Sequence, residues 1–524
     1  MIYRSPHPDV DVPDVSLSDF VLAGAAERGD RPALIDGPTG RTLTYGQLAD
    51  GVRRLRTGLA ARGFGKGDVF ALFSPNVPEF AVAFHGIIAA GGVVSTINSL
   101  YTADEVAFQL ADAGARFVLT IPAFMDRAGE AATKAGIDEV FVLGEADGAT
   151  PFADLLVSDE EPPEVAVDPG TDLAVLPYSS GTTGLPKGVM LTHRNIVANL
   201  TQFGWFDYIR DGDRVIGILP FFHIYGMVTI LHSALHRGAI VVSMPKFDLE
   251  PFLGTMQDHR INRAFLVPPV ILALAKHPAV DAYDLGALEM IMSGAAPLDG
   301  QLATACAERL GCAVIQGYGL TETSPVTHVM PSLTEARPGS IGPLLPNTEA
   351  RVVDWGTGEN LGPNQDGELL IRGPQVMRGY LNNAEATART IDDEGWLHTG
   401  DIGHADEDGY FFIVDRLKEL IKYKGYQVAP AVIEGVLLSH PAVADAAVIP
   451  VPDEEAGEVP KAYVVWAAGA EPSPDDVMAY VSERVGGHER VRYLEAVDQI
   501  PKSASGKILR RVLVERERQR QSGS

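Results

Sequence analysis

The stretch DVFALFSPNVPEFAVAFHGIIAAGG (68–92) contains both kinds of element from which the N-terminal part of this 524-residue chain is built. Its first half (68–76) is a short apolar run, which is typical of a strand buried on both faces. Its second half (77–92) is apolar throughout and ends in two glycines, which predicts a buried helix. A buried strand followed directly by a helix predicts a parallel sheet with crossover helices, because helices must cover both faces of such a sheet.

The same alternation continues on both sides of this stretch. In TYGQLADGVRRLRTGLAARG (44–63), Thr44 and Gln47 have the spacing of a capping box, which predicts a helix start. TADEVAFQLADAG (102–114) repeats that pattern, and strand-like and helix-like segments continue further along the chain. After about residue 338 the sequence becomes glycine-rich and strand-like. We therefore expect an α/β fold with a large N-terminal domain of parallel-rich layers plus a β-rich subdomain.

A smaller unit follows the segment VDRLKELIKYKGYQVAP (414–430), where the density of charged residues rises. Its pattern is a strand, a helix, two strands, a second helix and a basic tail. We expect the domain boundary near Arg416–Lys418, so that residues 1–415 form the large domain and residues 416–524 a small α+β domain.

Composition excludes several classes of partner. The net charge of −27 disfavours nucleic acid or an anionic membrane as the main partner, although local lysines can still bind a small anion. The two cysteines, Cys306 and Cys312, fit neither a metal pair nor a disulfide scaffold, so we expect a reducing, cytoplasmic setting. No apolar run approaches the roughly 18 residues of a membrane span, and the N-terminus has no signal core.

The loop YSSGTTGLPKGV (178–189) carries three glycines, four serine and threonine hydroxyls and a lysine. It is not a Walker A loop, because Lys187 lies between Pro186 and Gly188 rather than before Ser or Thr. Glycines still let backbone amides approach an anion, and the hydroxyls add donors. Taken alone, the loop is equally compatible with a solvated turn between two elements.

Other loops with small residues also follow apolar strands. SGAAPL (293–298) and QGYGLTETSP (316–325) stand where ligands enter α/β sheets, and the second lacks the glycine pattern of a dinucleotide site. Glu322 could bind a Mg²⁺ ion that is also bound by phosphate oxygens. Most glutamates, however, are exposed, so Glu322 is equally compatible with an exposed loop residue. Asp401 is an acceptor for a ribose diol, and PKSASGKILRR (501–511) supplies lysines.

Together these motifs resemble the acyl-adenylate-forming superfamily from about residue 20 to 512. Within it, FFHIYGM, VPPVILALAKHP, GELLIRGPQVMRGY and ELIKYKGYQVAP are most similar to the 4-coumarate–CoA ligase family. The resemblance implies an ATP-dependent acid–CoA ligase that converts a hydroxycinnamate such as 4-coumarate to acyl-AMP and pyrophosphate, and then to the CoA thioester and AMP. It also implies Mg²⁺, an N-terminal adenylation domain, a mobile C-terminal lid domain, and a monomer or homodimer.

The resemblance also implies roles for individual residues. The ATP and AMP site comprises Ser179, Ser180, Gly181, Thr182, Thr183, Gly184, Lys187, Ala295, Ala296, Gln316, Gly317, Tyr318, Thr321, Asp401, Arg416, Lys418, Lys422 and Lys507. The catalytic set is Lys507, Lys422, His223, Thr321 and Glu322, with Glu322 as the Mg²⁺ ligand. The acyl pocket comprises Tyr225, Thr229, Ala295, Gly317, Gly319, Pro325 and Val326, and the CoA site Lys246, Lys424 and Gly425. Lys507 is expected to act first, and Lys422 after the lid rotates about Lys418.

Several alternatives remain open. A medium- or long-chain fatty acid–CoA ligase, a carrier-protein-loading adenylation enzyme and a luciferase share most of these motifs. A P-loop kinase or ATPase lacks support, since the Gly-Lys-Ser/Thr spacing is missing. The chain departs from its relatives at Thr229, where plant enzymes carry a serine, and at Gly486–Glu489, where bacterial relatives usually read Ala-Pro-Tyr-Lys. The second departure bears on lid stability or a surface contact rather than on the chemistry.

Overall fold

The structure is a computed structural model that describes residues 1–137, 139–156, 160–179, 186–334, 337–424, 426–453, 455–467, 469–470, 472–503 and 506–522. Its strands form two eight-stranded sheets and two five-stranded sheets. The α-helices are Leu17–Val21, Ala25–Arg28, Tyr45–Ala61, Glu79–Ala89, Ala103–Ala113, Met125–Ala135, His193–Gly204, Ser233–Arg237, Leu249–Asp258, Pro268–Lys276, Gly300–Leu310, Ala384–Thr390, Pro430–Ser439, Pro474–Ser482 and Arg510–Ser522. A π-helix spans Tyr225–His232, and short 3₁₀ turns span Pro122–Phe124, Phe152–Leu155, Pro278–Ala282 and Thr321–Thr323.

The first eight-stranded sheet is built around the stretch at residues 68–92. In spatial order its strands are Gly379–Tyr380, Lys187–Thr192, Leu173–Ser179, Val93–Thr96, Val69–Phe73, Ala115–Thr120, Val140–Val142 and Thr150–Pro151. Val69–Phe73 is buried along its whole length and lies parallel to both of its neighbours. The predicted buried strand and helix at this stretch are confirmed. The strand Lys187–Thr192 instead runs antiparallel to Leu173–Ser179 and to Gly379–Tyr380.

The second eight-stranded sheet brings the other glycine-containing loops to one edge. In spatial order its strands are Val326–Val329, Ala313–Gly319, Met290–Ser293, Arg263–Leu266, Arg214–Gly217, Ile240–Ser243, Pro32–Asp36 and Thr42–Thr44. Met290–Ser293 and Ala313–Gly319 are parallel neighbours, with Ser293 in register with Gln316. The loops after these two strands therefore start side by side, as expected for a ligand site in an α/β sheet.

The local helix signals are confirmed at both capping boxes. At Tyr45–Ala61 the Thr44 hydroxyl accepts from the Gln47 amide, and the Gln47 side-chain oxygen accepts from the Thr44 amide. Thr102 and Glu105 form the same pair of hydrogen bonds at Ala103–Ala113. Such boxes satisfy amide groups that a helix cannot bond internally, which is why the sequence alone locates them.

Two smaller sheets complete the fold. Tyr3–Arg4, Glu349–Val353, Gly367–Arg372, Leu397–Ala405 and Phe411–Arg416 form the β-rich part of the large domain. Tyr426–Val428, Ile421–Tyr423, Gly457–Trp466, Val443–Asp453 and Tyr493–Ala496 form the sheet of the small C-terminal domain. That domain has its own buried cluster, drawn from residues between Ile421 and Val491. The α/β class with a separate small domain is confirmed; among the described residues no helix is long and apolar enough to cross a membrane.

The beginning of the small domain differs from the sequence prediction. One strand was expected there, and the structure has a hairpin of Ile421–Tyr423 and Tyr426–Val428. The two strands are short, and the connection starts at Lys424 with a φ of +46°. A positive φ at a non-glycine residue is not visible in a hydrophobic pattern, so the reversal was missed.

A pair of histidines is buried in the large domain without hydrogen-bond partners. The His85 and His232 rings are 5.0 Å apart, and neither ring nitrogen of either residue is bonded within the described structure. Burial lowers the pKa of His85 to about 3, and burial together with His85 lowers the pKa of His232. Both rings are therefore neutral in the folded protein near pH 7.

This pair predicts a specific pH dependence of stability. Below pH ~6.5 the unfolded chain takes up protons on both rings and the folded protein does not, so stability is lost as the pH falls. The double variant His85→Leu/His232→Leu should lose less unfolding free energy between pH 7 and pH 5 in urea titrations, by about 2 kcal/mol per histidine. His277→Leu, at an exposed position, is the matched control. An unchanged slope in the double variant would contradict this assignment.

Candidate active site

Glu322 lies at the junction of three chain segments. Its carboxylate accepts hydrogen bonds from the Ser179 hydroxyl at 3.1 Å and from the Tyr380 hydroxyl at 2.8 Å. The Lys187 ammonium lies 4.6 Å from the centroid of the same Tyr380 ring. Lys187 and Ser179 are direct partners in the hairpin register. The arrangement places one cation and one carboxylate at the mouth of the predicted anion loop.

The turn that carries Thr321 and Glu322 is held by the backbone on both sides. The Met377 amide donates to the Glu322 carbonyl at 2.8 Å. At Gly319, an added Cβ would lie 2.0 Å from the Pro325 carbonyl oxygen, so only glycine fits this close approach. These contacts fix the half-buried Thr321 and Glu322 side chains against the end of strand Ala313–Gly319.

Asp401 forms a second polar centre beside the first. It accepts a hydrogen bond from the Tyr318 hydroxyl at 2.6 Å and forms an ion pair with Arg416 at 3.0 Å. Asp401 and Arg416 are register partners on neighbouring strands, which explains the pair. The Asp401 charge raises the pKa of Arg416, and burial followed by Asp401 raises the pKa of Tyr318. The Asp401 carboxylate is thus buried and paired with Arg416.

Lys507 brings the small domain into this site. Its pKa is lowered, first by burial and then by the Arg416 charge, while Asp401 and Glu322 act in the opposite direction. Lys507 therefore lies among the groups of both polar centres. The adjacent Gly506 packs on the large domain, because a Cβ there would lie 3.1 Å from the Val267 side chain. Arg416, Asp401 and Glu322 all lie close enough to Lys507 to influence its charge.

His223 lies near the Lys507 ammonium. Burial, followed by the Lys507 charge, lowers the pKa of His223 to about 3, so the ring is neutral. Its Nδ1 accepts a hydrogen bond from the Tyr225 amide at 3.3 Å, which leaves Nε2 as the protonated nitrogen. His223 is half-buried and precedes the π-helix.

Tyr225 and Thr229 lie on the buried π-helix that follows His223. The Tyr225 hydroxyl donates to the Met292 carbonyl at 3.0 Å, and the ring packs against Gly294. Thr229, one turn further along the same helix, is 1% exposed, and its hydroxyl has no hydrogen-bond partner within the described structure. A buried hydroxyl without a partner costs free energy, and a bound ligand can supply that partner.

The loop after Ser293 is held in place by a buried amide. The Gln316 side-chain oxygen accepts from the Leu298 amide at 3.1 Å. Ala295 has a φ of +70°, and Ala295 and Ala296 are half-buried. Other expected site residues are half-buried or buried at the same strand ends, namely Gly317, Gly319, Pro325 and Val326.

Four expected lysines lie outside this cluster. Lys246, Lys418, Lys422 and Lys424 are exposed. The Lys424 ammonium pairs with Glu455 at 2.5 Å, and the Lys422 amide donates to the Glu458 carboxylate at 2.8 Å. Six expected residues lie outside the described residues: Ser180, Gly181, Thr182, Thr183, Gly184 and Gly425.

The sequence analysis missed Tyr380. This residue contacts both Glu322 and Lys187, yet it lies on a two-residue strand that reaches the site through pairing with Lys187–Thr192. Its motif MRGY carries no spacing that indicates a polar site. The register of this edge strand would have been needed to find it.

Comparison with known proteins identifies related sequences over nearly the whole chain. The AMP-binding enzyme family matches residues 22–381, and the AMP-binding enzyme C-terminal domain matches residues 432–507. The chain is 44% identical to 4-coumarate–CoA ligase 5 of Oryza sativa subsp. japonica over 98% of its own length and 96% of that protein. It is 42% identical to 4-coumarate–CoA ligase 2 of Petroselinum crispum, with the same coverage.

Solved structures show the same architecture. The anthranilate CoA ligase AuaEII in complex with anthranoyl-AMP superposes with a TM-score of 0.89 at 26% identity, covering 97% of this chain and 98% of that one. A benzoate CoA ligase from Burkholderia xenovorans LB400 superposes with a TM-score of 0.87 at 25% identity, covering 95% and 99%.

The close approach at Gly319 generates a prediction about the site turn. Gly319→Ala should destabilise the protein by about 1–3 kcal/mol, because the new methyl group overlaps the Pro325 carbonyl. Urea unfolding measures the loss. Gly65→Ala is the control, since a Cβ at that position meets nothing within 4 Å. Equal stability of the two variants would show that the turn can relax around the added methyl.

Proposed function

This chain belongs to the AMP-binding enzyme family, and on that premise we propose that it converts a hydroxycinnamate such as 4-coumarate to its CoA thioester. It is an acid–CoA ligase that acts through an acyl-AMP and uses ATP and CoA. The choice of acid rests on one observation: the buried Thr229 hydroxyl, on the same apolar helix as Tyr225, has no hydrogen-bond partner within the described structure. A phenolic hydroxyl on the acid supplies the missing partner.

The expected acyl pocket contains no basic side chain that would pair with a second carboxylate. Its members are Tyr225, Thr229, Ala295, Gly317, Gly319, Pro325 and Val326. A dicarboxylic acid would bury one carboxylate unpaired, at a cost of several kcal/mol. A flat aryl-propenoate instead packs between a tyrosine ring and glycine backbone, which favours hydroxycinnamates over dicarboxylates.

In the first half-reaction the acid's carboxylate oxygen attacks the α-phosphorus of ATP, and the bond to the β-phosphate oxygen breaks. Pyrophosphate leaves and the acyl-AMP remains. We assign Lys507 to the charge between the carboxylate and the α-phosphate, beside Thr321. Lys187 and the loop of residues 179–187 hold the phosphates that leave. Preorganised cations are the main catalytic resource in such a transfer, because charge builds up on phosphate oxygens.

We assign the adenosine part of ATP to the second polar centre. Ala295, Ala296, Gln316, Gly317 and Tyr318 surround the adenine in this proposal, and Asp401 and Arg416 hold the ribose. The buried Asp401, paired with Arg416, supports this assignment, since a carboxylate accepts from both hydroxyls of a diol.

We propose Glu322 as the protein ligand of Mg²⁺. Within the described structure no group of three acidic, histidine or cysteine residues forms a closed metal site. A single carboxylate fits Mg²⁺, which typically binds proteins through one or two carboxylates plus substrate phosphates. Bound there, the ion would neutralise charge on the phosphates. The hydroxyls of Ser179 and Tyr380 donate to one oxygen of the Glu322 carboxylate and hold the side chain in place.

In the second half-reaction the CoA thiolate attacks the acyl carbon, the bond to the phosphate oxygen breaks and AMP leaves. We propose that residues 416–524 form a mobile lid, and that rotation about the exposed Lys418 withdraws Lys507 and delivers Lys422 to the nucleotide. Gly425 and the exposed Lys246 and Lys424 then line the CoA path, and His223 gates it. We further propose a cytoplasmic monomer or homodimer; the two buried free cysteines support a reducing compartment.

The Thr229 hydroxyl gives a direct test of the acid. Thr229→Val keeps the shape and removes the hydrogen bond, so kcat/KM for 4-coumarate should fall about 3- to 10-fold. For cinnamate, which lacks the phenolic hydroxyl, kcat/KM should not fall. Both values come from initial rates of thioester formation.

The same assay separates the other acids. Wild-type enzyme should prefer 4-coumarate to malonate and to palmitate. A higher kcat/KM for palmitate would indicate a fatty acid–CoA ligase, and adenylation without thioester formation on CoA would indicate a carrier-protein-loading enzyme. Either result would contradict the proposed function.

The two lysines should separate the half-reactions. Lys507→Ala should lower acyl-AMP formation by about 10²–10³-fold, by analogy with the loss of one oxyanion donor, and still convert supplied coumaroyl-AMP to the thioester. Lys422→Ala should form the acyl-AMP and stall before the thioester. Rapid-quench measurement of each step checks this. Equal losses in both steps for both variants would mean that the two lysines belong to one static site.

A further inference from the structure

A bulge in the β-rich part of the large domain carries one carboxylate of the candidate site. Gly367–Arg372 and Leu397–Ala405 are antiparallel neighbours, and their register shifts so that residues 399–401 lie opposite Leu369 alone. We call these three residues the 399–401 bulge, and its last residue is Asp401. Bulges change the direction in which a strand presents a side chain, and they are common next to active sites.

Glu368 holds this bulge from the neighbouring strand. Its Oε1 accepts a hydrogen bond from the Gly400 amide at 3.1 Å, and its Oε2 accepts one from His398 Nδ1 at 3.1 Å. The Glu368 side chain is 12% exposed. Gly400 has a φ of +68°, a conformation that favours glycine. A mostly buried carboxylate therefore fixes the bulge at its left-handed residue.

The 399–401 bulge connects the nucleotide site to the hinge. Asp401 is the carboxylate that the proposed function assigns to the ribose. The carbonyl of the adjacent Gly400 accepts a hydrogen bond from the Leu417 amide at 2.9 Å. Leu417 immediately precedes Lys418, about which the proposed function has the small domain rotate. A displacement of the bulge would therefore move the ribose carboxylate and the start of the hinge together.

We propose that Glu368 is a positioning residue for both half-reactions, because it fixes the bulge that orients Asp401 toward the ribose and holds Leu417 before the hinge. In this proposal Glu368 contacts neither the nucleotide nor CoA. Without its carboxylate the Gly400 amide loses its acceptor, and the bulge relaxes. A displacement of about 1 Å in a group that positions a substrate is enough to lower a rate. The inference rests on the proposed function and adds a residue that links its two steps.

The ribose hydroxyls give a selective test. Glu368→Ala should raise the KM for ATP in pyrophosphate exchange about 3- to 10-fold, the equivalent of one hydrogen bond. The KM for 2′,3′-dideoxy-ATP should not rise, because this nucleotide lacks both hydroxyls that Asp401 would accept from. In a single turnover, the same variant should convert supplied acyl-AMP to the thioester about 3- to 10-fold more slowly. Glu368→Gln keeps an acceptor oxygen for the Gly400 amide and should stay close to wild type in both assays.

A second variant disturbs the bulge and leaves Glu368 in place. At Gly400 an added Cβ meets nothing within 4 Å, but a φ of +68° is unfavourable for alanine. Gly400→Ala should therefore raise the KM for ATP, leave the KM for dideoxy-ATP unchanged and slow the thioester step, as in Glu368→Ala. This variant tests the inference even if Glu368→Ala does not fold.

A neighbouring carboxylate–histidine pair outside the bulge supplies the matched control. Asp366 accepts a hydrogen bond from His404 Nδ1 at 2.7 Å. Asp366→Ala should leave both KM values and the thioester step unchanged. Effects as large as those of Glu368→Ala would show a general disturbance of the sheet and would overturn the inference.

The wild-type enzyme separates this inference from the function it rests on. Equal KM values for ATP and dideoxy-ATP in the wild-type enzyme would contradict the ribose assignment itself, and the inference with it. A wild-type preference for ATP that Glu368→Ala and Gly400→Ala leave intact would overturn the inference alone. The exchange assay uses whichever acid supports exchange, so an incorrect choice of acid affects neither result.

Discussion

The electrostatic interaction of the half-buried Lys507 ammonium with charged groups of the large domain is the one on which the arrangement of the two domains depends. Burial and the neighbouring Arg416 charge both disfavour the charged lysine, and the Asp401 and Glu322 carboxylates oppose them. Nearby carboxylates offset the free-energy cost of burying such a cation. The lysine comes from the small domain and the carboxylates from the large one, so the site is complete only with the small domain in this position.

Other contacts connect the segment of Lys507 to the beginning of the small domain. Arg510, three residues after Lys507, forms a bidentate pair with Glu434 at 2.7–2.8 Å and also contacts Glu419. Glu434 is buried, and burial raises its pKa to about 7 despite the arginine. The Ala431 amide donates to Asp415 at the end of the large domain's last strand. The segments that carry Lys418 and Lys507 are thus tied to each other.

The sequence predicted those features that depend on local chemistry. It predicted the capping boxes at Thr44 and Thr102, because the side chains that bond the free amides of a helix end lie within a few residues of each other. It also predicted the buried strand at residues 69–73, because burial requires a short run of apolar residues. Resemblance to a family supplied the residues of the site, and the structure gathers Lys507, Glu322, Asp401 and Arg416. The features that the sequence analysis missed depend on how strands pair and on local backbone angles, which the residue pattern does not show. Tyr380 reaches Glu322 through a two-residue edge strand, and the connection of the small domain's first hairpin starts at Lys424, a non-glycine residue with a positive φ.

The central claim is that the enzyme forms an acyl-AMP intermediate before CoA takes part in the reaction. A single-turnover experiment with enzyme, radiolabelled ATP and 4-coumarate in the absence of CoA measures this directly. The account predicts about one equivalent of coumaroyl-AMP and of pyrophosphate per site, with conversion to thioester and AMP once CoA is added. Formation of ADP and phosphate, or no adenylate until CoA is present, would contradict it.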